Sequence, residues 1–352
     1  PVYLYPGFRP DIQLNTEISV SAVKAALNEH SRVKAVILVS PTYDGVVSDI
    51  RAIAGEVHRR GIPLIVDEAH GAHFGFHPYF PESALKQGAD VVIHSLHKTL
   101  PALTQTALLH VDGPYADRSR IFRYLDMLQS SSPSYVLMAG IDRCVRLLGE
   151  KRDELFSPYV ERLERLRDRL GQLEKLSLAR TERYDRSKLV LSAARADMTG
   201  RELYLRLLET YHLQLEMAAG SYALAMTSVG DTEEGFRRLG DALEEMDRSA
   251  GENGGEVTGQ DGGLPENEMV CSSARIEELA REEGCIRSVP LEACEGLVSM
   301  EYAYLYPPGI PLIVPGERVS HGSLQVLLKS RRQGFSLEGM EKEGSIRVWI
   351  NG

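Results

Sequence analysis

The sequence has few cysteines, no long hydrophobic run and no excess of basic residues, and each absence excludes a class of protein. The four cysteines lack CxxC or zinc-site spacing, so we expect reduced thiols in a cytoplasmic protein. No apolar run reaches the ~18 residues of a membrane span. With 40 Lys and Arg against 50 Asp and Glu, the net charge is −10. This balance argues against nonspecific nucleic-acid binding, which needs a basic face.

Two further motifs are missing. No Gly-Lys pair occurs in the 352 residues, and a helicase phosphate loop requires one. The acidic segment Asp67-Glu68-Ala69-His70 is therefore not read as a helicase motif. The opening PVYLYPGFRP has neither the basic nor the apolar region of a signal peptide, and the chain begins at Pro1 rather than Met.

The composition that is present, 43% hydrophobic and 26% charged, is that of a globular protein of two or three domains with a sizeable core. Apolar runs alternate with amphipathic stretches in the first half, which predicts an α/β sheet covered by helices. We expect its ligand site at the carboxyl ends of the strands. The predicted strands are Val33–Val39, Pro63–Val66, Ala89–Ile93 and Thr106–Val111, all buried, with a helix over Val47–Arg60.

The second half predicts further units. Residues 134–178 have a helical pattern, in which Glu154–Leu176 is expected to form a long helix linking two domains. From Lys188 to Leu239 the predicted order is strand, helix, strand, strand, helix. The domain boundaries that we expect are 1–150 for the large domain, 151–250 for the helix and a small α/β domain, 251–263 for a Gly-rich flexible linker, and 264–352 for a C-terminal domain.

One interpretation of the segment after the second strand is a metal site. His70, His73 and His77, with Asp67 and Glu68, form a cluster of residue types that bind metals. Their HxxHxxxH spacing differs from the HExxH of zinc hydrolases. The alternative is a set of loop histidines that line a polar cleft.

A second interpretation joins Asp67 to Ser95-Leu96-His97-Lys98. Both segments follow apolar strands, so both can reach one cleft. A lysine there can form a Schiff base, and a nearby carboxylate can keep the pyridine nitrogen of pyridoxal phosphate protonated. Ser95 and His97 can bind a phosphate. The pair Asp-x-Ala-His and Ser-x-His-Lys is more specific than either half alone.

The segment DEAHGAHFGFHPYFPESALKQGADVVIHSLHKTLPALTQTALLHV resembles the major domain of the ornithine/lysine/arginine decarboxylase family. YPPGIPLIVPGE, residues 306–317, is similar to that family's C-terminal domain. The resemblance implies an α/β chain with three parts. These are an aspartate-aminotransferase-like large domain (pyridoxal-phosphate fold type I, mostly parallel sheet), a small α/β domain and a C-terminal α+β domain.

The resemblance also implies roles for individual residues. Lys98 is similar to the Schiff-base lysine, Asp67 to the partner of the pyridine nitrogen, and Ala69 to the residue packed on one face of the ring. His70 stands beside the ring, either as a catalytic residue or as a supporting hydrogen-bond partner. The phosphate ligands implied are Ser95 and His97. They are joined by Ser130 and Ser131, whose loop either reaches the cofactor of a neighbouring subunit or caps the following helix.

The activity implied is decarboxylation of arginine, lysine or ornithine to its amine, in polyamine metabolism, by a cytoplasmic homodimer or higher oligomer with shared active sites. Neither nucleic acid nor membrane is an expected partner. Glu301 and Glu317 are candidates for the acidic end of the substrate pocket, although for each of them a solvated surface carboxylate is the preferred interpretation.

Family members carry a segment ahead of the first residue here, so we expect this chain to lack the N-terminal part of its large domain. Sheet edges and apolar surface are then expected to be exposed. Two alternatives remain open: a non-catalytic assembly partner of a full-length homologue, and another enzyme of this fold, such as an aminotransferase.

Overall fold

In the computed structural model the described residues are 1–252, 263–281, 285–306, 309–332 and 335–350. The chain divides into two compact units. The larger unit is Asp11–Gly259, and the smaller unit is Gln260–Gly352 together with Pro1–Pro10. Most of the linker predicted at 251–263 lies outside the described residues. The finer boundaries at 150 and 250 stay predictions.

The first half of the larger unit is built around a mainly parallel sheet. Its strands lie in the order β3-β4-β5-β6, with β3–β4 and β4–β5 parallel and β6 antiparallel to β5. Asp49 begins α2 because its side chain accepts a hydrogen bond from the Ala52 amide. The elements are β1 (Phe8–Arg9, in the smaller unit), β2 (Leu14–Asn15), α1 (Val20–Glu29), β3 (Val36–Val39), α2 (Ile50–His58), β4 (Leu64–Asp67), β5 (Val91–Ser95), α3 (Leu96–Thr99) and β6 (Ala107–Val111).

The four predicted strands all form, but two expectations about them were wrong. The first and fourth strands are not buried on both faces, because β3 and β6 lie at the two edges of the sheet. Ile37 is 68% exposed and Val39 56% exposed, and no residue of β6 is fully buried. No helix crosses between β4 and β5. In this fully described stretch the connection contains one 3-10 turn, Ala69–Gly71, and irregular chain.

A long helix and an antiparallel sheet complete the larger unit. The predicted order of strand, helix, strand, strand, helix is confirmed, and its strands form a sheet in the order β7-β8-β10-β9. Helix α5 is kinked at Lys151, where φ −129° and ψ 21° leave the helical region. The elements are α4 (Arg118–Leu128), α5 (Tyr135–Leu170), β7 (Ser177–Ala179), β8 (Lys188–Ser192), α6 (Gly200–Glu209), β9 (Met217–Ala219), β10 (Tyr222–Met226) and α7 (Glu233–Ser249).

One hydrophobic core joins the two sheets of the larger unit. Phe156, Tyr159 and Leu163 of α5 are each at most 1% exposed and share a cluster with Phe80, from the loop after β4, and with Leu189 of β8. Burying side chains of this size stabilises the fold by about 1.5–3 kcal/mol each. The shared core holds the start of β8 in a fixed place relative to the ends of β4 and β5.

The smaller unit is an α+β structure. A five-stranded sheet has the order β11-β16-β13-β18-β12, and a three-stranded sheet the order β15-β14-β17. Its core includes Leu291, Ile313 and Leu327. The elements are β11 (Glu268–Met269), α8 (Ser273–Leu279), β12 (Ile286–Pro290), β13 (Val298–Ser299), β14 (Ala303–Tyr306), β15 (Pro311–Ile313), β16 (Glu317–Arg318), α9 (His321–Arg332), β17 (Ser336–Glu338) and β18 (Ser345–Trp349).

The larger unit exposes apolar side chains, as the sequence predicts. Besides the β3 edge, α4 exposes Phe122 (56%) and Leu128 (83%), and the first turn of α5 exposes Tyr135 (80%) and Val136 (69%). Cys144, Cys271 and Cys294 form no disulfide with another described residue. None of the described helices combines the length and the apolarity that crossing a bilayer requires.

Candidate active site

Asp67 and Lys98 lie after neighbouring strands, at one edge of the sheet. Strand β4 ends at Asp67, which is in register with Ile93 of the parallel strand β5. Strand β5 ends two residues later, and α3 begins at once, so Lys98 lies on the first helical turn beyond the sheet. Lys98 is exposed and Asp67 is half-buried. The structure thus brings together the two segments that the sequence links.

His70 is the direct neighbour of Lys98. Its Nε2 atom lies 3.1 Å from the Lys98 Nζ atom, and its ring packs against Tyr43 with centroids 4.5 Å apart. The ring is buried, at 6% exposure. This contact places His70 at the lysine amine itself, where it can accept or donate a proton.

A second lysine, which the sequence analysis did not name as a site residue, lies on the other side of the same ring. The Nζ atom of Lys188, the first residue of β8, is 2.9 Å from Nδ1 of His70. Lys188 is completely buried. The sequence does contain a signal for it, because Lys188 directly precedes the apolar run LVLS of a predicted strand. A lysine is almost never fully buried without a partner, so a lysine in such a place indicates a specific interaction.

Burial lowers the pKa values of two groups at this site. Burial, and then the charges of Lys188 and Lys98, lower the pKa of His70 to about 2, so its imidazole is neutral. Burial also lowers the pKa of Lys188 to about 8, against the opposing effect of Asp185 and other carboxylates. Both shifts follow from the cost of holding cationic groups in a poorly solvated place.

The metal site considered as one interpretation of this segment does not form, because residues of the cluster have other partners. His73 Nε2 lies 3.2 Å from Asp185 Oδ1, and Glu68 accepts hydrogen bonds from Ser83, Ala84 and His94. Across the described residues, no group of three or more His, Cys, Asp and Glu side chains has the arrangement of a metal site. The motif residues therefore separate: His70 contacts Lys98 and Asp67 ends the neighbouring strand, whereas Glu68 and His73 support the fold.

Ala69, Ser95 and His97 lie around the same strand ends. Asp67 Oδ1 accepts a hydrogen bond from the Ala69 amide at 3.0 Å, which fixes the orientation of the carboxylate. Ser95 precedes α3, but its hydroxyl does not cap the helix. His97 Nδ1 donates to the Thr106 carbonyl oxygen, 2.9 Å away, and this leaves Nε2 for a ligand. A phosphate would require a proton on that second nitrogen.

Ser130 and Ser131 are exposed, and no hydrogen bond among the described residues joins them to Lys98 or His70. The Ser130 hydroxyl instead bonds to the backbone of Ser132. The alternative in which this loop caps the next helix was wrong, because Ser134 caps α5 through the Leu137 amide. A contact of Ser130 and Ser131 with the cofactor of a neighbouring subunit stays a prediction.

Glu301 and Glu317, in the smaller unit, are not solvated surface carboxylates. They are 5% and 4% exposed. Glu301 accepts hydrogen bonds from the backbone and side chain of Arg347 and from the Glu341 amide. Glu317 accepts from Asn267 and from the Val314 amide. These partners give both side chains a role in the fold of the smaller unit, and neither is shown to reach a substrate.

Comparison with known proteins gives a consistent result. The model of the Orn/Lys/Arg decarboxylase major domain matches residues 1–213, and the model of that family's C-terminal domain matches residues 259–343. Arginine decarboxylase of Bacillus subtilis (strain 168) is 30% identical over 351 residues, which cover 97% of this chain and 70% of that protein.

Two solved structures show the fold. Constitutive lysine decarboxylase of E. coli gives a TM-score of 0.78 at 19% identity, covering 99% of this chain and 64% of that one. This chain thus spans less than two thirds of that structure. Alanine–glyoxylate aminotransferase of Nostoc sp. gives a TM-score of 0.53 at 16% identity, over 64% of this chain and 65% of that one. The predicted α/β fold of the aspartate-aminotransferase type is confirmed.

Proposed function

Because the chain belongs to the ornithine/lysine/arginine decarboxylase family, we propose that it removes the α-carboxylate of a basic amino acid with the help of pyridoxal 5'-phosphate. The observation that carries the proposal is the contact between Lys98 Nζ and His70 Nε2, 3.1 Å, beside Asp67 at the end of the neighbouring strand. Relatives named arginine decarboxylase support arginine among the substrates to test.

The residues present fit this cofactor. Lys98 offers an exposed amine at the edge of the sheet, and Asp67 offers a carboxylate whose orientation is fixed by the Ala69 amide. Ala69 is small enough to lie against a flat ring. Ser95 and His97 offer a hydroxyl and a ring nitrogen for the phosphate. When bound, the cofactor supplies an electron sink for the bond that breaks at the substrate's α-carbon.

The protein's own groups orient the reaction and handle protons. Asp67 would stand opposite the ring nitrogen of the cofactor, where a carboxylate would favour a protonated nitrogen. Lys98 acts as the nucleophile in its unprotonated form. The neutral imidazole of His70 can exchange a proton with the Lys98 amine, because Nε2 lies within hydrogen-bonding distance of Nζ.

We further propose a homo-oligomer in the cytoplasm. The exposed apolar residues of α4 and α5, among them Phe122, Leu128 and Tyr135, form a surface that a partner subunit would cover. Ser130 and Ser131 lie between these helices and would then approach the partner's cofactor phosphate. A non-catalytic subunit that pairs with a full-length homologue would use the same surface.

The proposal can be tested by asking whether pyridoxal phosphate attaches to the side-chain amine of Lys98. The protein is incubated with pyridoxal phosphate, treated with borohydride and digested, and the modified peptide is identified by mass spectrometry. We expect the label on Lys98, its loss in Lys98→Ala, and its retention in Lys86→Ala, an exposed lysine in the loop before β5. Labelling spread over surface lysines and unchanged in Lys98→Ala would refute the assignment.

The reaction type is tested by assaying carbon dioxide and amino transfer in parallel with arginine, lysine and ornithine. Release of carbon dioxide without formation of a keto acid is expected. Amino transfer alone would place the chain with the aminotransferases of this fold. Absence of both reactions, in the isolated chain and after co-expression with a full-length homologue, would favour the non-catalytic subunit.

A further inference from the structure

The imidazole of His70 lies between two lysine amines. Lys98 Nζ is 3.1 Å from Nε2, and Lys188 Nζ is 2.9 Å from Nδ1. An ammonium group only donates hydrogen bonds, and a neutral imidazole has one donor and one acceptor nitrogen. Two cationic lysines therefore cannot both hydrogen-bond to this ring, and one amine must be unprotonated and accept a hydrogen bond from the ring N–H.

Lys188 is the lysine that cannot move away. It is completely buried, and its stem packs so tightly against the backbone that a Cβ at Gly45 would lie 2.7 Å from Lys188 Cγ. Lys98, in contrast, is exposed and can reorient. The position of the buried amine thus sets which nitrogen of His70 is left to face Lys98.

Several charged groups face the buried amine. Asp185, Glu216 and Asp44 favour its cationic form, whereas burial and Lys98 oppose it. His70 is also acted on by Asp185 and by His73, which lies 3.2 Å from Asp185, and its ring packs against Tyr43. With its pKa lowered to about 8, Lys188 is still mostly cationic at pH 7. A cation at this place donates to Nδ1 and leaves the N–H on Nε2.

We propose that Lys188 is a positioning residue that, by donating to Nδ1 of His70, directs the Nε2–H towards Lys98 and so favours the unprotonated, nucleophilic Lys98 amine. The inference deepens the proposed function, on which it rests for the role of Lys98. It assigns a task to a residue on β8 that lies 90 positions after the reacting lysine.

The experiment measures the nucleophilicity of Lys98 without cofactor or substrate. The protein is labelled with trace acetic anhydride between pH 6 and 10, and acetylation of the Lys98 peptide is read by mass spectrometry relative to the unfolded chain. Lys188→Met removes the donor and keeps an unbranched side chain. We expect it to lower labelling of Lys98 at pH 7 about tenfold, since one unit of pKa is a factor of ten.

Two further variants separate the proposed route from other effects. Lys86→Met removes an exposed lysine and should leave the Lys98 profile unchanged. In a His70→Phe background, Lys188→Met should change Lys98 labelling less than about threefold, because the ring that transmits the effect is gone. A tenfold effect in both backgrounds would mean direct charge repulsion and would overturn the proposal, as would no effect in either.

If Lys188→Met does not fold, His70→Phe alone carries the test. It should also lower Lys98 labelling at pH 7, and an unchanged profile would overturn the proposal. Failure of the proposed function is recognised separately: Lys98 would then label as expected, yet pyridoxal phosphate would not attach to it. Normal attachment with an unaltered labelling profile in Lys188→Met would refute only the inference about Lys188.

Discussion

Replacement of Glu68 by Ala tests whether this residue supports the fold, in contrast to its neighbour Asp67. Glu68 is 2% exposed. Its Oε2 atom accepts from Ser83 Oγ and His94 Nε2, each at 2.7 Å, and Oε1 accepts from the Ala84 amide at 2.9 Å. The Ala variant leaves three buried donors without an acceptor. We expect the loss of these three buried hydrogen bonds to lower the free energy of unfolding by about 3–5 kcal/mol.

Glu68→Gln keeps the shape and one acceptor oxygen, and should cost about 1–3 kcal/mol. The matched control is Glu82→Ala, whose carboxylate is 58% exposed and pairs with Arg51; such surface pairs contribute about 0–1 kcal/mol.

Urea unfolding followed by circular dichroism measures the loss. The fluorescence of Trp349, the single tryptophan of the chain, reports the smaller unit and should not respond. A loss below 1 kcal/mol in Glu68→Ala, or a loss equal to that of Glu82→Ala, would refute the reasoning.

Three further predictions concern stability and association. Asp247→Ala should lower the unfolding free energy of the larger unit by about 2–4 kcal/mol, because its carboxylate accepts from three backbone amides, at 3.0, 2.8 and 2.7 Å; a circular-dichroism urea curve equal to wild type would contradict this. Burial raises the pKa of Glu317 above its ordinary 4.5, so the folded state binds this proton more tightly than the unfolded state. Stability of the smaller unit, measured by Trp349 fluorescence in urea, should therefore fall as the pH rises from about 4.5 through the raised pKa, and Glu317→Gln should flatten the profile; an equally steep profile in the variant would exclude this source. Ile37→Lys with Val39→Lys should reduce self-association at the exposed β3 edge, measured by light scattering, and unchanged scattering would place the association elsewhere.

The elements that could be predicted from the sequence are those that depend on short stretches of neighbouring residues. Strands β4 and β5 are short apolar runs followed by polar motifs, and this pattern was enough to place Asp67 and Lys98 at one edge of the sheet. The exposure of Ile37 was not predictable, because an edge strand and a central strand can have the same composition. Only strand order, a property of the whole sheet, distinguishes them.

The site itself was predicted only in part. Lys98, Asp67 and His70 stand in two motifs that are 28 residues apart, whereas Lys188 is 118 residues from His70. That contact depends on the core that packs α5 and β8 against the loop after β4, and no local pattern encodes it. Similarly, the roles of Glu68 and His73 depend on distant partners, so the metal interpretation could be rejected only from the structure.

The most direct test of the central claim is the balance of products from one incubation. The protein, supplied with pyridoxal phosphate, is given carboxyl-labelled arginine, lysine or ornithine, and the released carbon dioxide and the amine are both measured. We predict equal amounts of carbon dioxide and amine from at least one of these substrates, and neither product from the Lys98→Ala variant. Equal release from wild type and Lys98→Ala would contradict the account.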